Sequence, residues 1–479
     1  MVRVVICGTH PNQFNGYSKV VYELSKYLEL YDDIELFIFG FQNFYDHSEH
    51  ANERKLKKTV IYDVYKNEEP KSKGFGENLI KDYLLDVKPD IVIVYNDLMV
   101  LNSLLSKIHE IPDRKFRIIP YVDLVYKNER NILIKILDEK SDGAIMFCSY
   151  WNDVIKQQGY TKPTYIVEHG FDRMSYYPME TQLARKYFGL PESCFIFMNL
   201  NRNQPRKRWD ICLMAFIKFI SLNRDCDAKL LIATPLKGSW DLIDIMTSEC
   251  NKYSMTLMEL QKHLLVIQNP QKLTDFDINV LYNACDVGLN TCDGEGFGLC
   301  NFEHGGIGKP QIVPFIGGFR DFITKKNSYI VKPKYTFYRD HTTDVVSGEA
   351  EVCDINDYVD AMQYYYDNQD IAQIHGKRFR ENIINNYTWK SKSEQLYNVI
   401  INETKDIIQA KELAKQMEQK SKNEIINVNE LEQLEVISGN HTKPSQTSAD
   451  LPNIDVDCMS VEDMKKVLKQ FINKASEPK

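Results

Sequence analysis

Short apolar runs alternate with amphipathic stretches along most of the chain. Residues 2–6 form a continuous apolar run of the kind found in buried parallel strands, and the segment YSKVVYELSKYL follows it after a glycine loop. As a helix, that segment would carry its apolar residues on one face: Val20, Val21, Leu24, Tyr27 and Leu28. Further strands are predicted at IELFIFG, DIVIVYN, RIIPYVDL and DGAIMFCS, with helices between them. The first part of the chain is therefore predicted to be a doubly wound α/β domain.

A second series of strands and helices begins near residue 195. It contains CFIFMNL, AKLLIAT, HLLVIQN, DVGLNT and PQIVPF, again separated by amphipathic stretches such as DICLMAFIKFISL. The polar, turn-rich stretch at residues 168–180 is the predicted linker. We predict two Rossmann-like domains at residues 1–178 and 179–388 that face each other across a cleft.

The remaining residues have a different character. Residues 389–410 predict a helix, and from about residue 411 Lys, Glu, Gln and Asn predominate, which predicts a charged helix. The stretch SGNHTKPSQTSADLPNIDVD has the composition of a flexible linker. A short terminal helix is predicted at residues 460–475, with Ser460 and Asp463 as a capping pair. Its apolar face would dock on this chain or on a partner.

Composition narrows the function classes. The chain has 479 residues, of which 43% are hydrophobic and 26% charged, so a large core is expected. A net charge of -8 disfavours a nucleic-acid-binding surface. The 11 cysteines include no CxxC pair or zinc-site spacing, which favours free thiols in a reducing compartment. With neither a signal peptide nor an apolar run long enough to span a membrane, a cytoplasmic location is expected.

The candidate chemistry centres on NTCDGEGFGLCNFEHGGIGKP, residues 290–310. Glu295 and Glu303 stand eight residues apart in this glycine-rich stretch, after the predicted strand DVGLNT and before a helix expected to start near Asn301 or Phe302. Glycine lets backbone N–H groups approach a phosphate, and a helix N-terminus adds positive charge. Glu303, expected in the first helical turn, could accept hydrogen bonds from a sugar diol. In isolation, two glutamates that merely cap a helix and flank a turn would be the favoured explanation of the pattern.

The wider pattern resembles the retaining glycosyltransferases of family 4, which have the GT-B fold. The match covers the segment EGFGL at residues 295–299, then Glu303, Gly308 and Pro310, and the strand QIVPF. The resemblance implies that Glu303 holds the ribose of a nucleotide sugar and that Glu295 orients the transferred sugar. It also implies that backbone N–H groups of Phe297, Gly298 and Leu299 contact the diphosphate. Cys300 and His304 depart from the family pattern, in which Pro and Ala are common.

Other stretches resemble the family in the expected order. NLNRNQPRKRWD is similar to the segment whose cations clamp the diphosphate; Arg202 and Lys207 match best, with Arg206 and Arg208 as neighbouring candidates. The segment THPNQFNGYSK is similar to the family's glycine loop, but Asn15 replaces its first glycine and only Gly16 carries over.

Three further positions depart from the family or have a structural role in it. Asp123 follows Val122 where family members have a His-Asp pair, so a role near the acceptor is implied for Asp123 and a His-based role is in doubt. His169 replaces the asparagine of a structural NGVD turn, and Trp389 is expected to be core packing.

The resemblance thus implies a metal-independent retaining enzyme that transfers a sugar from UDP- or GDP-sugar to an acceptor hydroxyl. No cofactor beyond this co-substrate is expected. The acceptor would be a carbohydrate, glycan, protein or lipid held by the first domain, with the donor on the second. The stretch covered is about residues 2–400. The alternatives are a nucleotide-sugar epimerase, a sugar phosphorylase on the same fold, and a non-catalytic binding or scaffold protein.

Overall fold

Two parallel β-sheets form the framework of the protein. The computed structural model describes residues 1–13, 15–44, 54–69, 74–339 and 346–438. Within these ranges the first sheet has eight strands and the second six, and all pairings in both are parallel. The doubly wound α/β architecture predicted from the apolar runs is confirmed.

The first sheet has the order β3-β2-β1-β4-β6-β7-β8, and β5 pairs with β4. Its apolar central strands are buried on both faces by helices. The segment RIIPYVDL, predicted as one strand, forms two, because Pro120 lies between them and cannot donate to a ladder. The strands are β1 (Val2–Thr9), β2 (Ile34–Phe41), β3 (Val60–Asp63), β4 (Ile91–Asp97), β5 (Arg117–Ile118), β6 (Tyr121–Asp123), β7 (Ala144–Met146) and β8 (Thr164–Ile166).

Helices cover the first sheet, and the first of them has a well-defined start. Asn15 is its N-cap: the side chain accepts a hydrogen bond from the Ser18 N–H at 2.9 Å, and the Ser18 hydroxyl accepts one from the Asn15 N–H in return. The residue that replaces a family glycine thus caps a helix. The helices are α1 (Gly16–Leu28), α2 (Val64–Asn67), α3 (Ile80–Val87), α4 (Leu98–Ile108), α5 (Asn131–Lys140) and α6 (Ser149–Gln157).

The second sheet has the order β11-β10-β9-β12-β13-β14. Its strands are β9 (Phe195–Asn199), β10 (Ala228–Ile232), β11 (Leu264–Val266), β12 (Val287–Leu289), β13 (Gln311–Pro314) and β14 (Tyr329–Val331). Its helices are α7 (Thr181–Tyr187), α8 (Trp209–Leu222), α9 (Leu242–Lys252), α10 (Leu257–Gln261), α11 (Asp275–Ala284), α12 (Leu299–Gly306) and α13 (Phe319–Phe322), with 3-10 turns at Pro205–Lys207 and Pro270–Lys272.

The strand order reverses direction beside β1 in the first sheet and beside β9 in the second. In an open parallel sheet, the crevice at the carboxyl ends of the strands at such a reversal is where ligands bind. The loops that leave β1 and β9 carry residues 10–13 with Asn15 and residues 200–208, and the loop that leaves β12 carries residues 290–298. The topology therefore brings the candidate residues of the second domain to one edge of its sheet.

A β-hairpin after β14 was missed in the sequence. Its strands β15 (Pro333–Tyr338) and β16 (Glu349–Cys353) pair antiparallel. The hairpin follows the last strand of the second sheet and contacts the loop after β6 in the first domain. The Glu349 N–H donates to the Lys127 carbonyl at 2.7 Å, and Lys127 Nζ lies 3.3 Å from a carboxylate oxygen of Glu351. The hairpin thus ties the two sheets' domains together beside the crevice.

The last helices return the chain to the first sheet. They are α14 (Ile355–Asp367), α15 (Gln369–Asn386) and α16 (Trp389–Ser438). On α16, Trp389 is buried, Ser393 donates to the Leu24 carbonyl of α1 at 3.4 Å, and the Tyr397 ring stacks on Tyr31 at 3.9 Å. The two helices expected at 389–410 and beyond form one helix. The predicted linker and terminal helix at 460–475 lie outside the described residues.

Candidate active site

Gly298 determines where α12 begins. Its φ is 92°, a left-handed conformation that favours glycine, and an added Cβ would lie 2.3 Å from the Phe319 ring. The helix consequently starts at Leu299, earlier than the predicted Asn301 or Phe302. Glu303 therefore lies at the start of the second turn and not in the first, and the N–H groups of the first turn have no partner within the helix.

Glu295 is a buried carboxylate held by two cations. Lys207 Nζ donates to Glu295 Oε2, and Arg206 reaches Glu295 Oε1 at 3.4 Å while also donating to the Gly294 carbonyl at 3.0 Å. Burial alone would raise the pKa of Glu295, but Lys207 and Arg206 lower it to about 2. Glu295 is therefore ionised at neutral pH, and the structure brings together three residues that the sequence singled out.

The remaining two cations of this loop differ in their surroundings. The Arg208 guanidinium donates to Asp210 at 2.7 Å and lies 3.5 Å from Asp293, so its charge is already matched. Arg202 keeps an exposed surface although neighbouring protein atoms surround its guanidinium, which has no hydrogen-bonding partner in the described part of the chain. Desolvation in the crevice and the nearby Arg206 lower the pKa of Arg202, which nevertheless stays a cation.

Gly16 lies opposite the start of α12. A Cβ added to Gly16 would come within 3.4 Å of Leu299 Cδ1. Because Gly16 is the first residue of α1 and Leu299 the first of α12, the N-terminal turns of two helices from different domains meet here. Each contributes positive charge from unpaired N–H groups. Arg202 lies near Tyr17 and Cys300, the next residue of each helix.

Glu303 is bound on both carboxylate oxygens. Lys19 Nζ of α1 lies 2.7 Å from Oε1, and the Tyr282 hydroxyl donates to Oε2 at 3.0 Å. Burial raises the pKa of Glu303, and Lys19 opposes this shift. Asp275 of α11 joins the same cluster through Lys19 and Arg54 at 3.2 and 2.9 Å. None of these partners was expected from the sequence.

Asp123 faces the glutamate loop from the end of β6. Its Oδ2 accepts a hydrogen bond from the Tyr17 hydroxyl at 2.5 Å, while its buried Oδ1 has no partner among the described residues. A Cβ added to Gly296 would lie 2.1 Å from this Oδ1, so the loop of the second domain passes directly against it. Burial raises the pKa of Asp123 to about 6, although Tyr17 and Arg206 oppose the shift.

Asp293, two residues before Glu295, connects this loop to the hairpin. Its fully buried carboxylate accepts from the Arg339 guanidinium at 2.5 Å and from the Tyr126 hydroxyl at 3.0 Å. Arg339 follows β15 and Tyr126 follows β6, so the three side chains join three loops. The hairpin therefore supports the loop that carries Glu295.

The two histidines that depart from the family pattern are both buried. His304 is held by the Tyr282 carbonyl at 3.0 Å and by the Gln311 amide at 3.2 Å, so it is a packed core residue. Neither ring nitrogen of His169 has a partner among the described residues. Its ring lies against Phe147 and Phe297, at 4.5 and 4.6 Å between centroids. Burial lowers the pKa of each histidine to about 3, so both are neutral.

The predicted site residues therefore come together at one crevice. Contacts join Arg206 and Lys207 to Glu295 and bring Gly16 opposite Leu299, which follows Phe297 and Gly298 in the chain. Asp123 lies against Gly296, next to Glu295, whereas Glu303 is bound by Lys19 and Tyr282. Sequence reasoning missed Tyr17, Lys19 and Asp275. A usable signal existed for Lys19, a charge one turn into a helix that opens at the glycine loop. In the described ranges, no group of three or more His, Cys, Asp and Glu side chains could hold a metal ion.

No known family model matches the chain, and no curated protein does either. Solved structures do match. Sucrose-phosphate synthase from Thermosynechococcus elongatus is 15% identical with a TM-score of 0.63, over 83% of this chain and 98% of that one. Anabaena HepE, solved with UDP and glucose, is 11% identical with a TM-score of 0.61, over 84% and 100% of the two chains.

A variant of S. aureus TarM, solved with fondaparinux, alpha-GlcNAc-glycerol and UDP, is also similar. It is 14% identical with a TM-score of 0.58, over 84% of this chain and 100% of that one. These likenesses establish the GT-B fold of the chain. Within the part of the chain that the structure describes, no helix is both long and apolar enough to cross a bilayer.

Proposed function

We propose that the protein is a retaining glycosyltransferase of family 4 that transfers a hexosyl group from a nucleoside diphosphate sugar to an acceptor hydroxyl. One observation carries the proposal: the N-terminal turns of α1 and α12, from different domains, meet at Gly16 and Leu299 beside the exposed cation Arg202. Two helix N-termini and a cation that has no hydrogen-bonding partner among the described residues are suited to a diphosphate.

The diphosphate would be bound by backbone N–H groups of the loop and first turn, from Phe297 to Leu299, and by Gly16. Arg202 is the most available cation. Lys207 and Arg206 share their charge with Glu295, so they would stabilise the departing diphosphate while Glu295 keeps them in position. This division of roles requires no movement of the buried Lys207–Glu295 pair.

The two glutamates would serve the hydroxyl groups of the donor. Glu303 uses one lone pair of each carboxylate oxygen for Lys19 and Tyr282, and a carboxylate has about four acceptor positions. The remaining positions would accept the ribose diol. Glu295, ionised and close to the diphosphate cations, would orient the transferred sugar and favour positive charge at its ring.

Asp123 would meet the acceptor. Its buried Oδ1 has no partner among the described residues and faces the second domain's loop, so it can accept a hydrogen bond from the attacking hydroxyl. In the proposed step, the bond from the anomeric carbon to the diphosphate oxygen breaks and the bond to the acceptor oxygen forms on the same face. The acceptor proton goes to a diphosphate oxygen, and the nucleoside diphosphate leaves.

The structural neighbours support this proposal by what they were solved with: UDP and glucose for HepE, and UDP with a glycosylated glycerol for TarM. We further propose that transfer needs no metal and that the protein is cytoplasmic. The ten described cysteines are free, which suits a reducing compartment.

A thermal-shift screen of UDP, GDP and their sugars tests the proposal, because a ligand of the native state raises the melting temperature according to its affinity and concentration. The donor found would then be incubated alone, with inorganic phosphate, and with carbohydrate, lipid and peptide acceptors, each with and without EDTA. Proton NMR of the product would report the anomeric configuration. Epimerised donor, or sugar phosphate formed only with phosphate, would show one of the alternative enzymes. The absence of any nucleotide binding would refute the proposal.

A further inference from the structure

Lys19 contacts the second domain although it belongs to the first. It lies in the first turns of α1, and its Nζ is 2.7 Å from Glu303 Oε1 in α12 and 3.2 Å from Asp275 Oδ1 in α11. The same ammonium donates to the Tyr176 hydroxyl, which in turn donates to Asp275 Oδ1 at 2.8 Å. The side chains of Lys19 and Glu303 are only 15% and 7% exposed. This is an ion pair buried between domains.

The contacts of Lys19 and Glu303 determine how many hydrogen bonds each side chain can still form with a ligand. An ammonium has three N–H groups, and those of Lys19 are matched by Glu303, Asp275 and Tyr176, so none is left for a ligand. Glu303 keeps half of its acceptor capacity, because Lys19 and Tyr282 each take one lone pair. Lys19 therefore cannot act by binding the donor itself, and it can act through Glu303.

Resting on the proposed function, we infer that Lys19 is a positioning residue: it holds the Glu303 carboxylate ionised and oriented to accept the ribose diol of the donor, and it does so only when the two domains are together. Donor binding would then favour the closed arrangement without any direct contact between donor and Lys19. A structural ion pair that merely joins the domains would add stability but would not affect how Glu303 binds hydroxyl groups.

The surroundings of Glu303 explain why a cation is needed. Burial raises the pKa of Glu303, and the nearby Asp275 raises it further, whereas Lys19 and the Tyr282 hydroxyl lower it. The other charged or titratable groups of this cluster are Arg54, which pairs with Asp275, and Tyr176, with Cys300 on the same helix as Glu303. Without Lys19, the carboxyl would take up a proton at higher pH and lose acceptor positions.

The test compares Lys19→Met with Lys19→Arg, and with Lys26→Met as a matched control on α1. Lys26 pairs with Glu23 within the same helix at 3.4 Å. Calorimetry would measure the Kd of UDP, GDP and the sugar nucleotide found for the wild type, between about pH 5.5 and 8.5. Circular dichroism melting would report whether each variant folds.

We expect Lys19→Met to raise the Kd of the nucleotide by about tenfold or more at neutral pH. The loss should be larger at low pH and partly recovered at high pH, where Glu303 ionises without help. Lys19→Arg should keep the wild-type pH profile, and Lys26→Met should match the wild type throughout.

Three results would overturn the inference. Wild-type affinity and pH profile in Lys19→Met, with an intact fold, would reduce the pair to a structural contact. Tighter nucleotide binding in that variant would make Lys19 a competitor of the donor. A wild-type protein that binds no nucleotide at all would overturn the proposed function together with the inference, and is distinguishable because it appears before any substitution is made.

Discussion

The ammonium of Lys207 donates a hydrogen bond to the carboxylate of Glu295, and both side chains are buried. The sequence suggested that these residues serve different parts of a ligand, a diphosphate and a sugar. The structure joins them in one ion pair between the loops after β9 and β12. Each therefore fixes the position of the other, and substituting one leaves a buried charge without its partner.

Lys207→Ala should lower turnover by about a hundredfold, as loss of a preorganised electrostatic contact does elsewhere. It should also lower the free energy of unfolding by about 3 to 5 kcal/mol, because Glu295 loses its closest cation. Turnover would be followed by release of nucleoside diphosphate, and stability by chemical denaturation.

The double variant Lys207→Ala/Glu295→Gln separates these two effects. It should regain much of the stability, because the unpaired charge is gone, but none of the turnover. Lys218→Ala, a change on the outer side of α8 where Lys218 bonds Asn356, is the control for loss of a lysine. Wild-type turnover in Lys207→Ala would mean that Arg202 or Arg206, and not Lys207, stabilises the departing diphosphate.

Removal of the Glu303 carboxylate tests the ribose site. Glu303→Ala should weaken nucleotide binding by about 1 to 3 kcal/mol, because ligand hydroxyl groups would lack their acceptor. Calorimetry with UDP or GDP measures this change directly. The control is Glu180→Ala, at an exposed position before α7. An unchanged Kd in Glu303→Ala would remove Glu303 from the donor site.

The sheets could be predicted from sequence because each buried strand is a continuous apolar run, as at residues 2–6 and 195–199. The hairpin β15–β16 could not, because it lies on the surface and its first strand is exposed from Lys334 to Tyr338. A strand without a buried face has no hydrophobic period to recognise.

Glu295 and Glu303 could be singled out from the sequence because both lie in one local motif. Their partners were not predicted, because Lys19 and Asp275 are 284 and 28 residues away from Glu303 in the chain and meet it only through the packing of three helices. Distances between domains are set by tertiary structure, and no local pattern encodes them.

Asp123 provides a test by pH. Its folded pKa of about 6 means that the carboxylate is mostly ionised at neutral pH and protonated below pH 6. If it orients the acceptor, turnover should rise through about pH 6 and then level off. Asp123→Asn should lower kcat and remove this limb while leaving the Kd of the nucleotide unchanged. If the rise in turnover through about pH 6 persisted in Asp123→Asn, another group would be responsible for it.

Asp293 tests the link between the hairpin and the glutamate loop. Asp293→Asn keeps the shape but weakens the bonds to Arg339 and Tyr126, so the free energy of unfolding should fall by about 1 to 3 kcal/mol. Turnover should fall too, because the loop that carries Glu295 loses support. Asp360→Asn, at an exposed position on α14, serves as the control. Unchanged stability would mean that the hairpin docks without this contact.

His169 predicts how stability depends on pH. Its pKa falls from an ordinary 6.5 to about 3 in the fold, because a charged imidazole is disfavoured among aromatic rings. Below the unfolded pKa, the unfolded chain therefore binds a proton that the native protein does not. The free energy of unfolding consequently decreases as the pH is lowered from about 6.5 to about 3.

His169→Asn should reduce this slope by about 1.4 kcal/mol per pH unit between about pH 6 and 5, one proton's share of the linkage. Denaturant unfolding at several pH values measures the slope. His109→Asn, at an exposed site after α4, should leave it unchanged. His304, whose pKa is lowered in the same way, keeps part of the slope in the variant. An identical slope in His169→Asn and the wild type would mean that His169 is charged in the native protein, which would require a partner for its ring within the aromatic cluster.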